Sequence, residues 1–423
     1  MIGDTNSGQN NKLKCNSSFF YDLSLPMLFQ SLIGQNIISR KLVEMVQHNR
    51  LSHALLFLAK EGTGGLSLAR AFAQYVVCEK VKKERNTDTN IQHNASGIQP
   101  PDSCGECPAC KKASELVHPD IHFSYPVVAR KPGDKPISTD YIKEWREFLK
   151  EQPYGNTYDW LQFIGAENKQ GNIPALECED ILKKMSLKSF EAEYKILIIW
   201  MPELLGREGN KLLKLIEEPP PNTLFILVAE NDALILPTLL SRTQLVKIPQ
   251  LLREDIEAAL MLREQLSIDK ARQIAAISNG NYHEALQLLQ HADDDWEVLL
   301  RDWLNSIIKT GPAAQVKWIE EISKTGREKQ KQFLKYFTHL LHHSIRVRAM
   351  GADIAGKTES QSTNGFAARL SKLCDASQQE AIVKELDNAA YYVERNANSK
   401  ILFHALTIKM YHIISNKSVI LMN

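Results

Sequence analysis

Residues 55–70 read Leu-Leu-Phe-Leu-Ala-Lys-Glu-Gly-Thr-Gly-Gly-Leu-Ser-Leu-Ala-Arg. The apolar run at 55–58 predicts a buried strand. Gly62, Gly64 and Gly65 predict a tight turn, and Leu66 opens a helix carrying Leu68, Ala69 and Ala73. This is the frame of a phosphate-binding loop without its chemistry. A working loop reads G-x-x-x-x-G-K-[ST]: backbone amides cradle the phosphates, the lysine neutralises the terminal ones, and the hydroxyl holds magnesium. Here Ala59 stands at the first glycine, Gly65 at the lysine and Leu66 at the hydroxyl. Shifting the register by one gains a hydroxyl in Ser67 but puts Leu66 in the lysine's place. Alone, the stretch also fits an ordinary Gly-rich turn between strand and helix, so the rest of the chain has to decide.

The chain has 423 residues, 43% of them hydrophobic, enough for two or three domains with real cores. Fifty-one Lys and Arg against fifty Asp and Glu leave a net charge of +1, so any contact with nucleic acid must be a local patch. No run reaches the roughly eighteen apolar residues a membrane span needs, and residues 1–18 lack the apolar centre of a signal peptide. A cytoplasmic protein without membrane contact is expected, with 1–18 as a disordered tail. Of seven cysteines, Cys104, Cys107 and Cys110 form two C-x-x-C steps sharing a central cysteine. Cys78, at the end of a helix, supplies a fourth thiolate, and this pattern predicts a tetrahedral zinc site. Four thiolates leave no open position for water, so the zinc is read as structural. Cys15, Cys178 and Cys374 are read as plain thiols. His118 and His122, close to the knuckle, are read as structural and not as ligands.

The pattern from 55 to 248 alternates strands and helices, which predicts a parallel sheet wrapped by helices. A helix is expected over 37–49, with His53 packed or capping beside the first strand. Residues 128–172, polar but carrying Trp145 and Trp160, read as an insertion on the domain surface. A helix over 180–190 places Ile181, Met185 and Leu187 inward. Lys195-Ile196-Leu197-Ile198-Ile199 is an unbroken aliphatic strand. Where an ATPase of this kind has acidic residues to hold magnesium, it ends in Trp200-Met201-Pro202, with Glu203 too far along to substitute. A helix over 210–218 stops at three prolines, and Ser241-Arg242 follows a short helix starting at Pro237. From 252 the strand signal vanishes: helices are expected over 254–265, 269–278 and 283–290. Residues 296–423 read as helical throughout, with Trp296-Leu299-Trp303-Ile307, Phe333-Phe337-Leu340-Leu341 and Ile401-Ala405-Ile408 showing the three-and-four spacing of buried faces and a loop over 352–365. His339, His342 and His343 read as packing histidines of such a helix.

The order of these parts resembles the AAA+ clamp-loader subunits of bacterial DNA polymerase III. The parts are Leu32-Ile33-Gly34-Gln35, the degraded loop, the four-cysteine knuckle and His118-Pro119-Asp120, then Leu212 through Pro220, Leu240-Ser241-Arg242 and, near the end, Arg395-Asn396-Ala397-Asn398. The resemblance implies an AAA+ P-loop-like domain over 19–249 with its knuckle at 78–110, a three-helix lid over 250–295 and a helical oligomerisation collar over 296–423. In the family some paralogues hydrolyse ATP and others have lost nucleotide competence while keeping the Ser-Arg pair. This sequence is similar to the latter. The family's second sensor arginine falls on His283 in Gly280-Asn281-Tyr282-His283-Glu284-Ala285-Leu286.

What the resemblance implies is a non-hydrolysing subunit with no bound ATP, helping to load a sliding clamp onto primed DNA. Arg242, beside Ser241, would be a finger reaching a neighbour's ATP. Its partners would be gamma/tau-type motor subunits, a delta subunit, primer-template DNA in the assembly and, indirectly, the clamp. Polymerase activity would attach to it only by membership of the holoenzyme. Two alternatives remain: an active clamp-loader ATPase with an unusual loop, which ATP turnover would reveal, and a zinc-dependent nucleic-acid-binding module, which salt-sensitive DNA binding would reveal. Against the last, the knuckle offers only Lys111 and Lys112 and no interleaved aromatics.

Overall fold

The three central aliphatic strands assemble side by side because they are buried on both faces and find hydrogen-bond partners only in their neighbours, while the two edge strands are partly exposed. In the computed structural model, β1 (Ala54–Ala59), β2 (Ile121–Ser124), β3 (Lys195–Trp200), β4 (Thr223–Ala229) and β5 (Gln244–Ile248) form one sheet in the order β2-β3-β4-β1-β5. Every pairing is parallel, with Leu56 opposite Leu227 and Leu245, and Ile198 opposite Ile226. The structure describes residues 27–86, 101–131, 133–166, 169–290, 296–350, 369–370, 373–394 and 397–415. The expected tail over 1–18, Cys15, the loop over 352–365 and Arg395-Asn396 lie outside them.

Alternate residues of the strands sort into two cores. On one face Leu55, Phe57, Ile196, Ile198, Leu224 and Ile226 pack with α1 (Asn36–Gln47) and α2 (Gly65–Val77). On the other, Leu56, Leu197, Ile199, Phe225 and Leu227 pack with Ile181 and Met185 of α7 (Ala175–Ser186) and with Ile216 of α8 (Leu213–Glu217). A tight 3-10 run over Pro202–Leu212, broken by the left-handed Gly206, leads into α8. The fold is therefore the α/β parallel sheet expected of an AAA+ domain, followed by helices alone.

Several sequence expectations need correction. Residues 128–172 are not a surface insertion. Trp145 of α5 (Ile142–Glu151) and Trp160 of α6 (Thr157–Phe163) are fully buried in the main core. Tyr125 stacks on Trp145 at 3.9 Å and Trp160 meets both edge-on, with Trp160 Nε1 donating to the Pro126 carbonyl. The polar composition belongs to the outer faces of these short helices. Helix α7 begins five residues earlier than expected and stops at Ser186, leaving Leu187 exposed beyond it. His53 is exposed, and only its carbonyl is engaged, accepting from Phe225 N–H.

After the sheet, α10 (Arg253–Arg263), α11 (Ile268–Ile277) and α12 (Tyr282–Gln290) share a core of Ile256, Leu260, Ile274 and Tyr282 that also takes in Ile33 and Tyr154. Then α13 (Trp296–Asn305), α14 (Pro312–Ser323), α15 (Arg327–Met350), α16 (Ala376–Glu394) and α17 (Ser399–Ser415) enclose a fourth core, with Trp303 stacked on Trp318 at 4.8 Å. On α17 the stripe Ile401-Ala405-Ile408 is exposed; Phe403, Leu406, Met410 and Ile413 are the buried face. Both stripes have helical spacing, so periodicity alone could not choose between them.

Candidate functional site

Strand β1 delivers the chain to the Gly-rich loop, and α2 leaves it from Gly65, with Gly64 at φ +83° as the left-handed N-cap. A Cβ on Gly65 would lie 2.4 Å from the Cβ of Ala59. The two departures from the phosphate-loop pattern are thus one: a methyl gained at the first glycine position fills the space that a side chain at the lysine position would need. Leu66 is buried, and the nearby hydroxyl of Ser67 is spent donating to the Pro153 carbonyl at 2.6 Å.

What lies above the loop is protein. Tyr154 sits against Gly64, its hydroxyl accepting from Ile33 N–H at 2.9 Å. Trp200, at the end of β3, packs on Trp145 at 5.3 Å, so the residue in the magnesium-ligand region belongs to the aromatic core. Between Glu61, Tyr154, Trp200 and Glu230 remains a cavity of about 30 Å³. That is room for about two water molecules, where sites for drug-sized ligands run to several hundred Å³; a wider cleft of about 990 Å³ opens beside it, bordered by Lys60, Glu61, Glu230, Asn281 and Glu284. The lining of the smaller cavity carries two glutamates, which would face a phosphate with like charge, and one lysine, Lys60. Glu203 is half-buried, and its carboxylate accepts from Glu230 and Asn231 N–H at 2.6 and 2.9 Å, which pins the end of β4. Burial pushes this carboxyl up, against the pull of those amides. His283 reaches the same region from α12, 3.3 Å from Asp159 and 4.0 Å from Glu61.

The four cysteines named from sequence do converge. The sulfurs of Cys78, Cys104, Cys107 and Cys110 all lie within 4.8 Å of one another, the one such cluster among the described residues. Cys78 and Cys104 are 3.6 Å apart, and Cys104 and Cys110 are 3.9 Å apart. Four sulfurs at about 2.3 Å from a tetrahedral zinc stand ~3.8 Å from each other, so the donor set fits that ion. Backbone N–H groups of Cys104, Cys107 and Cys110 donate to the sulfurs of Cys78, Cys104 and Cys107 in turn. Such bonds favour thiolates. His118 is turned to other work: its Nδ1 accepts from Asp120 N–H and its Nε2 faces Glu191. Asp120 in turn accepts from three successive amides, Phe190, Glu191 and Ala192, and ties the loop before β3 to the knuckle. That carboxylate clamp was hidden in the sequence within His118-Pro119-Asp120.

Ser241 and Arg242 follow α9 (Pro237–Leu240) and precede β5. Arg242 pairs with Glu217 at 3.2 Å, and donates to the Thr238 carbonyl and to Ser241 Oγ; its side chain is 31% exposed. Gln244 aligns with Leu55 in a parallel pair, which places Arg242 at the strands' N-terminal ends. The Gly-rich loop lies at their C-terminal ends, roughly 20 Å away at about 3.3 Å per residue. Arg242 therefore cannot serve the loop of its own chain.

A family model described as DNA polymerase III, delta subunit, matches residues 34–161 and 155–252, just over half of the chain. The delta' subunit of Bacillus subtilis (strain 168) is 26% identical over 251 residues, covering 59% of this chain and 58% of that one. The delta' subunit of Escherichia coli (strain K12) is 23% identical over 352 residues, covering 82% and 84%. The tau subunit of B. subtilis is 24% identical over 315 residues, covering 73% of this chain and 45% of its own length. The chain thus spans about half the length of the two B. subtilis relatives. With the parallel sheet, the glycine loop and the trailing helices in place, the chain belongs to the DNA polymerase III delta-subunit family and is a delta-prime-like clamp-loader subunit.

Proposed function

We propose that this subunit neither binds nor hydrolyses ATP and acts in the clamp loader as a fixed member, helping to place the sliding clamp on primed DNA. The observation that carries this reading is the altered loop: Ala59 takes the space a side chain at Gly65 would need, and beneath Tyr154 and Trp200 the loop keeps a cavity of only about 30 Å³. Arg242 is the residue proposed to act, in trans. In a ring of such subunits each ATP sits at a boundary, its phosphates held by one protomer and an arginine supplied by the next. A finger of this kind contributes about three to five orders of magnitude in rate by stabilising charge on the transferred phosphoryl group. Arg242 would exchange Glu217 for that group, with Ser241 beside it. Its place on the rim opposite its own loop supports that role.

The four-cysteine knuckle would hold a structural zinc, which supplies cross-linking of α2 to the segment after it and no chemistry on substrate. The proposed partners are gamma/tau-type motor subunits, a delta subunit and, through the assembly, primer-template DNA and the clamp. Titrating the purified chain with Mg-ATP tests the reading. No binding is expected up to about 1 mM and no turnover above blank; affinity near about 1 µM with turnover would overturn it.

A further inference from the structure

Four stretches far apart in sequence meet over the Gly-rich loop, and the groups they bring are charged. From the loop comes Glu61, its carboxylate accepting from Asn156 Nδ2 at 3.2 Å. From the start of α6 comes Asp159, whose carboxylate also accepts the Asn156 N–H. From α12 comes His283, its side chain 8% exposed, with Nε2 3.3 Å from Asp159 Oδ2 and 2.8 Å from the side-chain amide of Gln287. From α15 come Lys331 and Lys335, both acting on Glu61, while Lys335 also pairs with Glu284 of α12 at 2.9 Å. Two largely buried carboxylates side by side repel each other unless cations are supplied. The two lysines and the imidazole of His283 all come from helices beyond the sheet.

The backbone agrees with the charges. Tyr282 N–H donates to the Gly62 carbonyl at 3.1 Å, and a Cβ on Gly62 would lie 1.7 Å from Asn281 Oδ1. The turn before α12 thus rests directly on the loop, with no layer between them.

We infer that Glu61, Asp159 and His283 form a latch that holds the α10–α12 unit closed on the loop without any nucleotide. The inference rests on the proposed function only for the premise that no nucleotide occupies the loop. His283 occupies the position where the family resemblance places a phosphate-sensing arginine, and here it reads two protein carboxylates. A subunit built this way keeps one arrangement of sheet and helical unit throughout a cycle that moves its neighbours.

Hydrogen–deuterium exchange on the full-length chain tests the latch. His283→Ala should speed exchange in residues 62–64 and in α12 by about tenfold or more, since a hydrogen bond to a charged group is lost from a local opening equilibrium. Amides of β4 should be unchanged. His283→Arg places a donor opposite the same carboxylates and should return exchange to within about twofold of the parent. Asp159→Asn keeps the shape and removes one charge; it should loosen the same segments, and serves as the deciding variant if His283→Ala also exposes β4. Exchange in α12 unchanged in Asp159→Asn, or in a folded His283→Ala, overturns the latch. Protection of residues 62–64 by added Mg-ATP in the parent would count against the nucleotide-free premise and not against the latch, so the two failures are distinguishable.

Discussion

At the scale of single residues, loss and gain are matched. Gly65 has no side chain because Ala59 has one, and Trp200 stands where an acid would because Trp145 gives it a partner. Arg242 shows the opposite: it keeps charge and exposure, held lightly by Glu217. Arg242→Ala should lower ATP turnover at the adjoining site of the assembled loader by about a thousandfold or more, with assembly unchanged by size-exclusion chromatography. Unchanged turnover with the variant incorporated would remove Arg242 from the mechanism. His122 on β2 makes a separate prediction. Burial, then Lys195 and Lys184, pushes its imidazole down to about 4, and its Nε2 has no hydrogen-bond partner. The folded state therefore resists a proton that the unfolded chain accepts from about pH 6.5 downward. Stability from this group is fully present above about pH 6.5 and is lost as pH falls toward 4, by about 1–3 kcal/mol. His122→Gln should flatten the urea midpoint over that window; an identical acid slope would dismiss this origin.

At the scale of elements, the knuckle joins three pieces of the chain at the edge of the main core. Cys78 caps α2, Cys107 caps α4 (Pro108–Ser114) by accepting from Cys110 N–H, and Lys112 reaches Glu191 in the loop before β3. Near one zinc per chain is expected by elemental analysis of natively purified protein. Cys107→Ser should weaken the metal and lower stability by about 2–4 kcal/mol, seen as a fall in thermal midpoint of ~5–10 °C. Absence of zinc from the native protein would overturn the assignment. The short helices α5 and α6 teach a related lesson. Both turn an aromatic face inward, and α5 turns a charged face outward, where Glu144 pairs with Arg130. A count of polar residues sees only the outer face.

At the scale of the whole molecule, the last helices leave apolar surface uncovered: Ile401 is 69% and Ile408 57% exposed, with Tyr391 and Tyr392 of α16 also outward. A stripe of this kind on a helix whose other face is already buried suits contact with further subunits. Ile401→Glu combined with Ile408→Glu should leave the isolated chain's stability within about 0.5 kcal/mol, as exposed sites do, while reducing its recovery in complex with motor subunits. Equal recovery would place the assembly contacts elsewhere. Among the described residues no helix is long and apolar enough to cross a membrane.

The sequence by itself determined the parallel sheet, because central strands buried on both faces must be continuous in aliphatic residues, and it named the four converging cysteines, because two C-x-x-C steps already bring three of them close along the chain. It also showed that lysine, hydroxyl and acidic residues were missing from the loop. Only the tertiary structure decided what took their place. That Tyr154 and Trp200 line the small cavity left at the loop, that Asp120 clamps three amides, and that His283 meets Glu61 and Asp159 all depend on contacts between residues tens to hundreds of positions apart. Periodicity records which residues share a face; which face the fold covers is set by packing partners that local sequence does not encode, and α17 turned the other way for that reason.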